Sequence, residues 1–201
     1  CNFCTVNLSK IYIDVTKDRV YVGKKDGQPR RAAQSAMYTV LNGLARILAP
    51  LISFTAEEIW QAMPHAASDV RESVFLNDMP AYDEALAFSE LVAHWSALFE
   101  LREDVMKALE SARAAKVIGK SLDAKVTIYT ENEAHYATLS SFADKLAMVF
   151  ITSSATVIKG APADGTIDPE TGVSIVVEAA DGEKCDRCWT FITDAIADTD
   201  A

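Results

Sequence analysis

The sequence has few positive charges and no long apolar run. Its 201 residues include 19 Lys and Arg against 29 Asp and Glu, a net charge of −10. This balance argues against indiscriminate nucleic-acid binding, which depends on cationic groups. The apolar run at residues 44–54 is interrupted by Arg46 and Pro50, and no apolar run approaches the length of a membrane span. The chain opens without an initiating Met or a charged leader, and we therefore expect a fragment of a longer protein. We also expect this protein to be a cytoplasmic monomer.

The motifs of common catalytic centres are also missing. Gly119-Lys120-Ser121 lacks the earlier glycine of a phosphate-binding loop, because Ala114 stands at that place. The three histidines share no metal-binding spacing, and there is no serine-hydrolase elbow. We expect this chain to have no catalytic centre of its own.

Positive charge is concentrated between residues 10 and 31. This stretch holds seven cations against three anions, a local charge of +4, so the rest of the chain carries −14. Such asymmetry favours a directed contact with an anion on one face. A solvated helix end followed by a loop fits the same pattern.

Apolar residues recur at helical spacing through most of the first 118 residues. Helices are predicted over residues 8–22, 31–49, 55–63 and 88–115, with a loop at 23–29 whose breakers include Pro29, and an irregular segment at 65–86. Thr55 and Glu58 predict a capping box at the start of the third helix, with Phe54 stapled onto Ile59. The short connections favour an antiparallel helical bundle.

Strand-like alternation begins only after residue 119. Strands are predicted at residues 125–130, 148–151, 155–158 and 173–178, with a helix over 132–146. The predicted fold class is mainly α with a small α+β part: an antiparallel helical bundle, a long helix, a small mixed α/β domain and a C-terminal half of a zinc knuckle.

The four cysteines form two C-x-x-C pairs, and the C-terminal pair is the stronger candidate for a metal site. Cys185 and Cys188 can turn both thiolates toward one Zn²⁺, and Lys184 and Arg187 beside them favour the thiolate form. A dithiol redox pair and an inert pair are the alternatives, but the features of a thioredoxin-like turn are missing around these cysteines.

Two cysteines make only half of a tetrahedral site. The other ligands must be Cys1 and Cys4 or must lie beyond Ala201. At helical spacing, Cys4 is expected to be a small buried hydrophobic residue rather than a ligand.

The residues beside the C-terminal cysteines suit an unpaired base. A rigid turn can present the guanidinium of Arg187 and the indole of Trp189, and stacking on an unpaired base contributes about 1–3 kcal/mol. RNA is usually recognised at such loops rather than in its helices. The alternative is that Trp189 packs against the α/β domain.

Several segments, read in order, match a known pattern: Asn2-Phe3-Cys4, Leu8-Ser9, Tyr12-Ile13-Asp14, Lys17-Asp18-Arg19, Leu48-Ala49-Pro50, Ser53 to Trp60, Lys116 to Leu122 and Glu183 to Trp189. Together they resemble the C-terminal part of bacterial-type isoleucyl-tRNA synthetases, which are class I enzymes. The segments at 48–50 and 55–60 are shared with the valine and leucine synthetases. The Ile-Gly-Lys-Ser-Leu segment at 118–122, followed by C-x-x-C-Trp, favours isoleucine.

The resemblance implies a domain layout. Residues 1–80 would end a helical anticodon-binding domain, 81–118 would hold a connecting segment and the long helix, and 119–182 would form a small α/β junction domain. Residues 183–201 would be the first half of a four-cysteine knuckle, with structural Zn²⁺ on Cys185 and Cys188. The second cysteine pair and the catalytic domain that uses ATP and Mg²⁺ would belong to the parent enzyme.

The resemblance also implies a role. The parent ligase would attach isoleucine to its tRNA, while this chain would hold the anticodon arm of isoleucine tRNA. We expect Lys17, Arg19, Arg30 and Arg31 to contact phosphate, and Arg187 and Trp189 to contact anticodon bases. The alternative function is an acidic protein-interaction module with a structural zinc clip and no RNA role.

Overall fold

A computed structural model of the chain describes residues 2–163, 167–168 and 170–193. Two compact units are present. The helical unit is Arg19–Ala87, and the mixed unit is Cys1–Asp18 with Phe88–Ala201. The elements are mainly helical with a small mixed sheet, which confirms the predicted fold class at that level. The helical bundle and the four-part domain layout stay predictions.

The helical unit is built on two α-helices, α2 (Gln28–Leu48) and α3 (Ser53–Ala62). Pro29 lies in the first turn of α2, where its missing N–H leaves no backbone bond unmade and its fixed φ suits the helix. The prediction that Pro29 is a helix breaker within the 23–29 loop is therefore wrong, because Pro29 lies in α2 and helps to begin it.

The predicted start of α3 is also wrong. The helix begins at Ser53, its N-cap is Ile52 without a side-chain cap, and Thr55 lies inside it. Phe54 is 90% exposed and forms no staple. The N–H groups of Leu51 and Ile52 both bond to the carbonyl of Leu48, so the turn that closes α2 already directs the chain into α3.

Trp60 is the centre of the core of the helical unit. The side chain is fully buried, its Nε1 donates to the carbonyl of Val70 at 3.2 Å, and the Arg46 guanidinium lies 5.3 Å from a ring centroid. Small and medium apolar residues surround it: Ala45, Ala49, Ala56, Met63 and Val74. The segment that follows α3 is largely irregular, as predicted, apart from one-turn 3₁₀ helices at Val74–Leu76 and Glu84–Leu86.

A helical stretch predicted near the start of the chain is present with different hydrogen bonding. Residues Phe3–Ile13 form a π-helix, and α1 (Asp14–Tyr21) continues it. Val15 of α1 joins the core of the mixed unit. None of the described helices combines the length and apolar character that a membrane crossing requires.

The long helix α4 (Ser89–Ala114) is confirmed almost at its predicted bounds. Its C-terminal part is buried against the sheet and α6 through Leu98, Leu101, Arg102, Val105, Leu109 and Ala112. Leu91 and Val92, near the start of α4, are exposed, and the buried residues of the helix begin at Leu98.

The sheet of the mixed unit has the order β2-β1-β3. Strand β1 (Ala124–Thr130) pairs in parallel with β2 (Ser154–Lys159) and antiparallel with β3 (Ser174–Ala179). A 3₁₀ turn at Ser121–Asp123 leads into β1. These strands confirm three of the four predictions.

The crossover from β1 to β2 contains α5 (Glu133–Ser141) and α6 (Leu146–Phe150). The strand predicted at residues 148–151 is therefore wrong, and the helix predicted over 132–146 ends early at Ser141. Leu146, Val149 and Phe150 are all buried, and their spacing places them on one helical face. A short apolar run cannot be assigned to strand or helix from its periodicity alone.

Candidate nucleic-acid interface and metal site

The C-terminal cysteines lie in the turn of a small hairpin, here called the cysteine hairpin (residues 183–192). Its strands, β4 (Glu183–Lys184) and β5 (Phe191–Ile192), pair antiparallel. Gly182 leads into it with φ +99°, and a Cβ at that position would lie 2.2 Å from the Ile192 carbonyl oxygen. Only glycine fits this entry turn.

Backbone hydrogen bonds shape the turn around Cys185. The Cys185 N–H donates to the Thr190 carbonyl at 2.9 Å, and the Trp189 N–H donates to the Cys185 carbonyl at 2.8 Å. Donation from the backbone N–H groups of Cys188 and Arg187 to the sulfur lowers the pKa of the Cys185 thiol from its usual value, against the opposing effect of burial. The turn thus favours a thiolate, the form that binds a metal ion.

Cys185 and Cys188 supply two thiols, the donor type of two zinc ligands. The Cys188 sulfur lies 3.0 Å from Thr190 Oγ1, on the same turn as Cys185. Across residues 2–163, 167–168 and 170–193, no group of three or more Cys, His, Asp or Glu is placed to hold a metal ion. Zinc binding at Cys185 and Cys188 therefore stays a prediction.

The N-terminal cysteines do not complete this pair in the described residues. Cys4 is exposed on the π-helix, so the expectation that it is a buried hydrophobic residue is wrong. None of the residues of the π-helix Phe3–Ile13 is buried, so this side chain does not enter a core. Cys1, the other N-terminal candidate, lies outside the described residues.

Trp189 projects from the cysteine hairpin and is not a core side chain. Its backbone adopts φ +66°, and it is 54% exposed. The Nζ of Lys120 lies 5.2 Å from the indole centroid. Arg187 is also exposed. The structure brings Lys120 to Trp189, a contact for which the sequence contains no local signal.

Three polar contacts fix the cysteine hairpin to the turn before β1. Ser153 Oγ donates to the Leu122 carbonyl at 2.5 Å and accepts from the Phe191 N–H at 2.7 Å. Lys184 Nζ lies 3.6 Å from a carboxylate oxygen of Asp123. The hairpin therefore has a defined place on the mixed unit, which explains why Trp189 meets Lys120.

The predicted phosphate-binding cations occupy different settings. Lys17, in the mixed unit, binds the Asp14 carboxylate at 3.0 Å. In the helical unit, Arg19 is half-buried, Arg30 Nη1 donates to the Gly23 carbonyl at 3.2 Å, and Arg31 is exposed with Asp26 3.9 Å away.

The charged groups of Arg30 and Arg31 therefore differ in how accessible they are to a ligand. Arg30 braces the 23–29 loop, whereas the Arg31 guanidinium, with a side chain 67% exposed, faces solvent. The phosphate contacts themselves stay predictions.

Comparison with known proteins gives the family. Residues 1–128 match the family described as "Anticodon-binding domain of tRNA ligase". Curated relatives include the isoleucine–tRNA ligases of Natranaerobius thermophilus (42% identical over 94% of this chain), Syntrophotalea carbinolica (44% over 96%) and Halalkalibacterium halodurans (44% over 94%). The chain spans about a fifth of the length of these relatives, 20–21%. The family match covers more than half of the 201 residues, and the chain belongs to the anticodon-binding domain family of tRNA ligases.

Proposed function

We propose that this chain is the tRNA-binding C-terminal region of an isoleucine–tRNA ligase. It holds the anticodon arm of isoleucine tRNA, while a catalytic domain of the parent enzyme, outside this sequence, performs the ATP-dependent aminoacylation. The observation that carries the proposal is the match of nearly the whole chain, at 42–44% identity, to proteins of that name.

The cations between residues 10 and 31 position the anticodon arm by binding its phosphates. Contacts with phosphate fix register and orientation but carry no sequence information. Arg31 is the strongest candidate, because its side chain is 67% exposed and its distance to Asp26 is 3.9 Å. Lys17 and Arg30 contribute to the same role with part of their hydrogen-bonding capacity already used within the protein, and the half-buried Arg19 contributes beside them.

The cysteine hairpin recognises the anticodon bases. Arg187 and Trp189 are exposed on a turn held by backbone bonds at Cys185, and both side chains have planar groups that stack on an unpaired base. Cys185 and Cys188 would hold a structural Zn²⁺, with two further ligands from the parent enzyme. When bound, the metal cross-links the turn.

The cellular setting follows from the same proposal. The described cysteines, Cys4, Cys185 and Cys188, are free thiols, as suits a reducing cytoplasm. We propose a cytoplasmic protein that binds its tRNA as a monomer.

The test is the affinity of this chain for isoleucine tRNA and for the same tRNA with an altered anticodon. Trp189→Ala is expected to weaken binding of the matching tRNA much more than that of the altered one, because the indole contacts bases. Arg31→Gln is expected to weaken both equally and to reduce the salt slope by about 0.7–0.9.

Arg31 is a better phosphate probe than Arg30, because removing Arg30 would also loosen the loop that it braces. Equal losses for both tRNAs on Trp189→Ala would remove the base-reading role. Absence of any salt-dependent tRNA binding would favour the acidic protein-interaction module instead.

A further inference from the structure

We propose that Lys120 and Trp189 form one binding site for a single unpaired nucleotide, with the indole stacking on its base and the Lys120 ammonium binding its phosphate. The inference rests on the proposed function and deepens it. It adds a residue from a distant part of the chain and specifies the ligand as a single-stranded ribonucleotide.

Trp189 is a large side chain at a backbone position that favours glycine. Its φ of +66° is disfavoured for every residue except glycine. The bonds that impose it, Trp189 N–H to the Cys185 carbonyl and Cys185 N–H to the Thr190 carbonyl, would accept glycine without strain. Because Trp189 is 54% exposed, its indole is open to a ligand.

The positive charge of the Lys120 ammonium is not neutralised by a carboxylate in the described residues. Its distance of 5.2 Å from the indole centroid lies within the range of cation–aromatic attraction. Lys125, Lys145 and Lys184 of the same unit are each paired with an aspartate, whereas Lys120 has no ion pair to a carboxylate within the described part of the chain.

The backbone holding Lys120 is fixed before any ligand binds. The Lys120 N–H donates to Asp123 Oδ2 at 2.8 Å, and the Asp123 N–H returns a bond to the Lys120 carbonyl at 2.9 Å. Arg113 Nη2 donates to Ser121 Oγ at 3.1 Å and ties this turn to the end of α4. Since Ser153 joins the cysteine hairpin to the same turn, both halves of the site stand on ordered supports, which lowers the cost of binding.

The chemistry of this pair matches a nucleotide. An exposed indole attracts a flat ring, and base stacking on aromatic side chains is tolerant of sequence. A neighbouring ammonium attracts an anion, and in a nucleotide the phosphate is joined to the stacked base through the sugar. The base must be unpaired, because in a duplex both of its faces are covered by its neighbours.

Four variants of the 201-residue chain test the proposal: Lys120→Gln, Trp189→Ala, the double variant and Lys120→Arg, which keeps the charge. Lys145→Gln is the matched control, because it removes one exposed lysine from the same unit. The measurement is affinity for the anticodon stem-loop RNA of isoleucine tRNA across a salt series, with circular dichroism to confirm folding.

Trp189→Ala is expected to weaken binding by between about 5-fold and about 150-fold, the range for loss of one stacked base. Lys120→Gln is expected to weaken it by several-fold and to reduce the salt slope by about 0.7, the value for one phosphate of a single strand. Lys120→Arg should bind nearly as well as the parent sequence. The loss in the double variant should differ from the product of the single losses, because residues that hold the same nucleotide are energetically coupled.

RNAs in which one backbone phosphate is replaced by an uncharged linkage can show which phosphate Lys120 binds. Stem-loop RNAs with one methylphosphonate at successive loop positions are compared on the parent sequence and on Lys120→Gln. One position is expected to weaken binding to the parent sequence and to leave binding to Lys120→Gln unchanged.

Three results would overturn the inference. If Lys120→Gln behaves like Lys145→Gln while Trp189→Ala still weakens binding, the proposed function stands and the shared site fails. Losses that multiply in the double variant would place the two residues on separate parts of the RNA. If the parent sequence does not bind the stem-loop at all, the proposed function fails as well.

Discussion

Asp69 is the carboxylate of the helical unit that accepts the most hydrogen bonds. Its side chain is only 4% exposed and lies 2.6 Å from Arg46 Nη2, and it also accepts from the Ala66 N–H and from Tyr38. Burial raises the pKa of Asp69, but donation from the Ala66 N–H and the charge and hydrogen bond of Arg46 outweigh it, so the net pKa is lowered. The ionised carboxylate is therefore part of the fold.

Asp69→Asn is expected to lower the free energy of unfolding by roughly 1–3 kcal/mol at pH 7, since buried donors lose their charged acceptor. Because the folded pKa is lowered, the stabilisation is present above the unfolded carboxyl pKa of about 4 and is lost as pH falls through the folded pKa. Urea unfolding followed by circular dichroism, at pH 7 and in acid, measures both. Asp78→Asn, which changes an exposed carboxylate, is the control. An equal loss in the two variants at pH 7 would contradict the role given to Asp69.

Arg102 is a buried cation in the core of the mixed unit. It is 3% exposed, and its Nε donates to the Val149 carbonyl at 2.8 Å, in the last turn of α6. Burial lowers the pKa of Arg102, with Asp14 and Glu103 opposing the change. A cation bonded to a helix C-terminal carbonyl complements the partial negative charge there.

Arg102→Met keeps the apolar stem but leaves the Val149 carbonyl without this donor. The expected loss is about 1–3 kcal/mol of unfolding free energy, measured by urea denaturation. Lys107→Met on the same helix is the control, since its side chain is 76% exposed. If both variants unfold at the same urea concentration, the bond to α6 contributes nothing measurable.

At the scale of elements, α4 ends in a Schellman motif with an unusual residue. The Lys116 N–H bonds to the Arg113 carbonyl, and the Val117 N–H bonds to the Ala112 carbonyl. Lys116 takes the left-handed position with φ +60°, where glycine is preferred.

Lys116→Gly is therefore expected to raise the free energy of unfolding by about 1 kcal/mol. Lys107→Gly, a replacement inside the same helix, is expected to lower it by about 1 kcal/mol. Thermal melts of the two variants give the comparison. Destabilisation by Lys116→Gly would show that the lysine side chain contributes more than its backbone strain costs.

Strong periodicity made some elements predictable. The 26 residues of α4 and the alternation at Val126, Ile128 and Thr130 in β1 identify both elements from sequence, because one face of each is buried. The run at 148–150 is too short for its period to be read, so α6 was predicted as a strand. At Thr55 the capping pattern is present, but the preceding turn determines where α3 begins.

Only the local part of the candidate site could be predicted from the sequence, because its other part depends on contacts between distant residues. Cys185, Cys188 and Trp189 share a short motif that can be recognised locally. Lys120 reaches Trp189 because Ser153 bonds to both the 121–123 turn and β5 and Lys184 pairs with Asp123. No spacing in the sequence indicates these contacts.

At the scale of the whole molecule, metal content tests the half site. The described residues bring together two thiols and no third candidate ligand, and residues 194–201 contain neither Cys nor His. We expect the chain to purify with clearly less than one zinc ion per molecule, because two ligands do not complete a tetrahedral site.

Zinc content and native mass, measured together, check this expectation. Any residual zinc should fall on Cys185→Ser and not on Cys4→Ser. One zinc per monomer that is lost on Cys4→Ser would mean that the two ends of the chain share a site. One zinc per dimer would mean that two hairpins meet.

The three tryptophans lie in settings that make each part of the molecule optically distinct. Trp60 is fully buried in the helical unit, Trp95 is half-buried in the mixed unit and Trp189 is 54% exposed on the cysteine hairpin. Emission from Trp60 is therefore expected at short wavelength and shielded from acrylamide, whereas Trp189 should emit at long wavelength and be quenched readily. One fluorescence spectrum can thus follow RNA at the hairpin and unfolding of the helical unit separately, without any added dye.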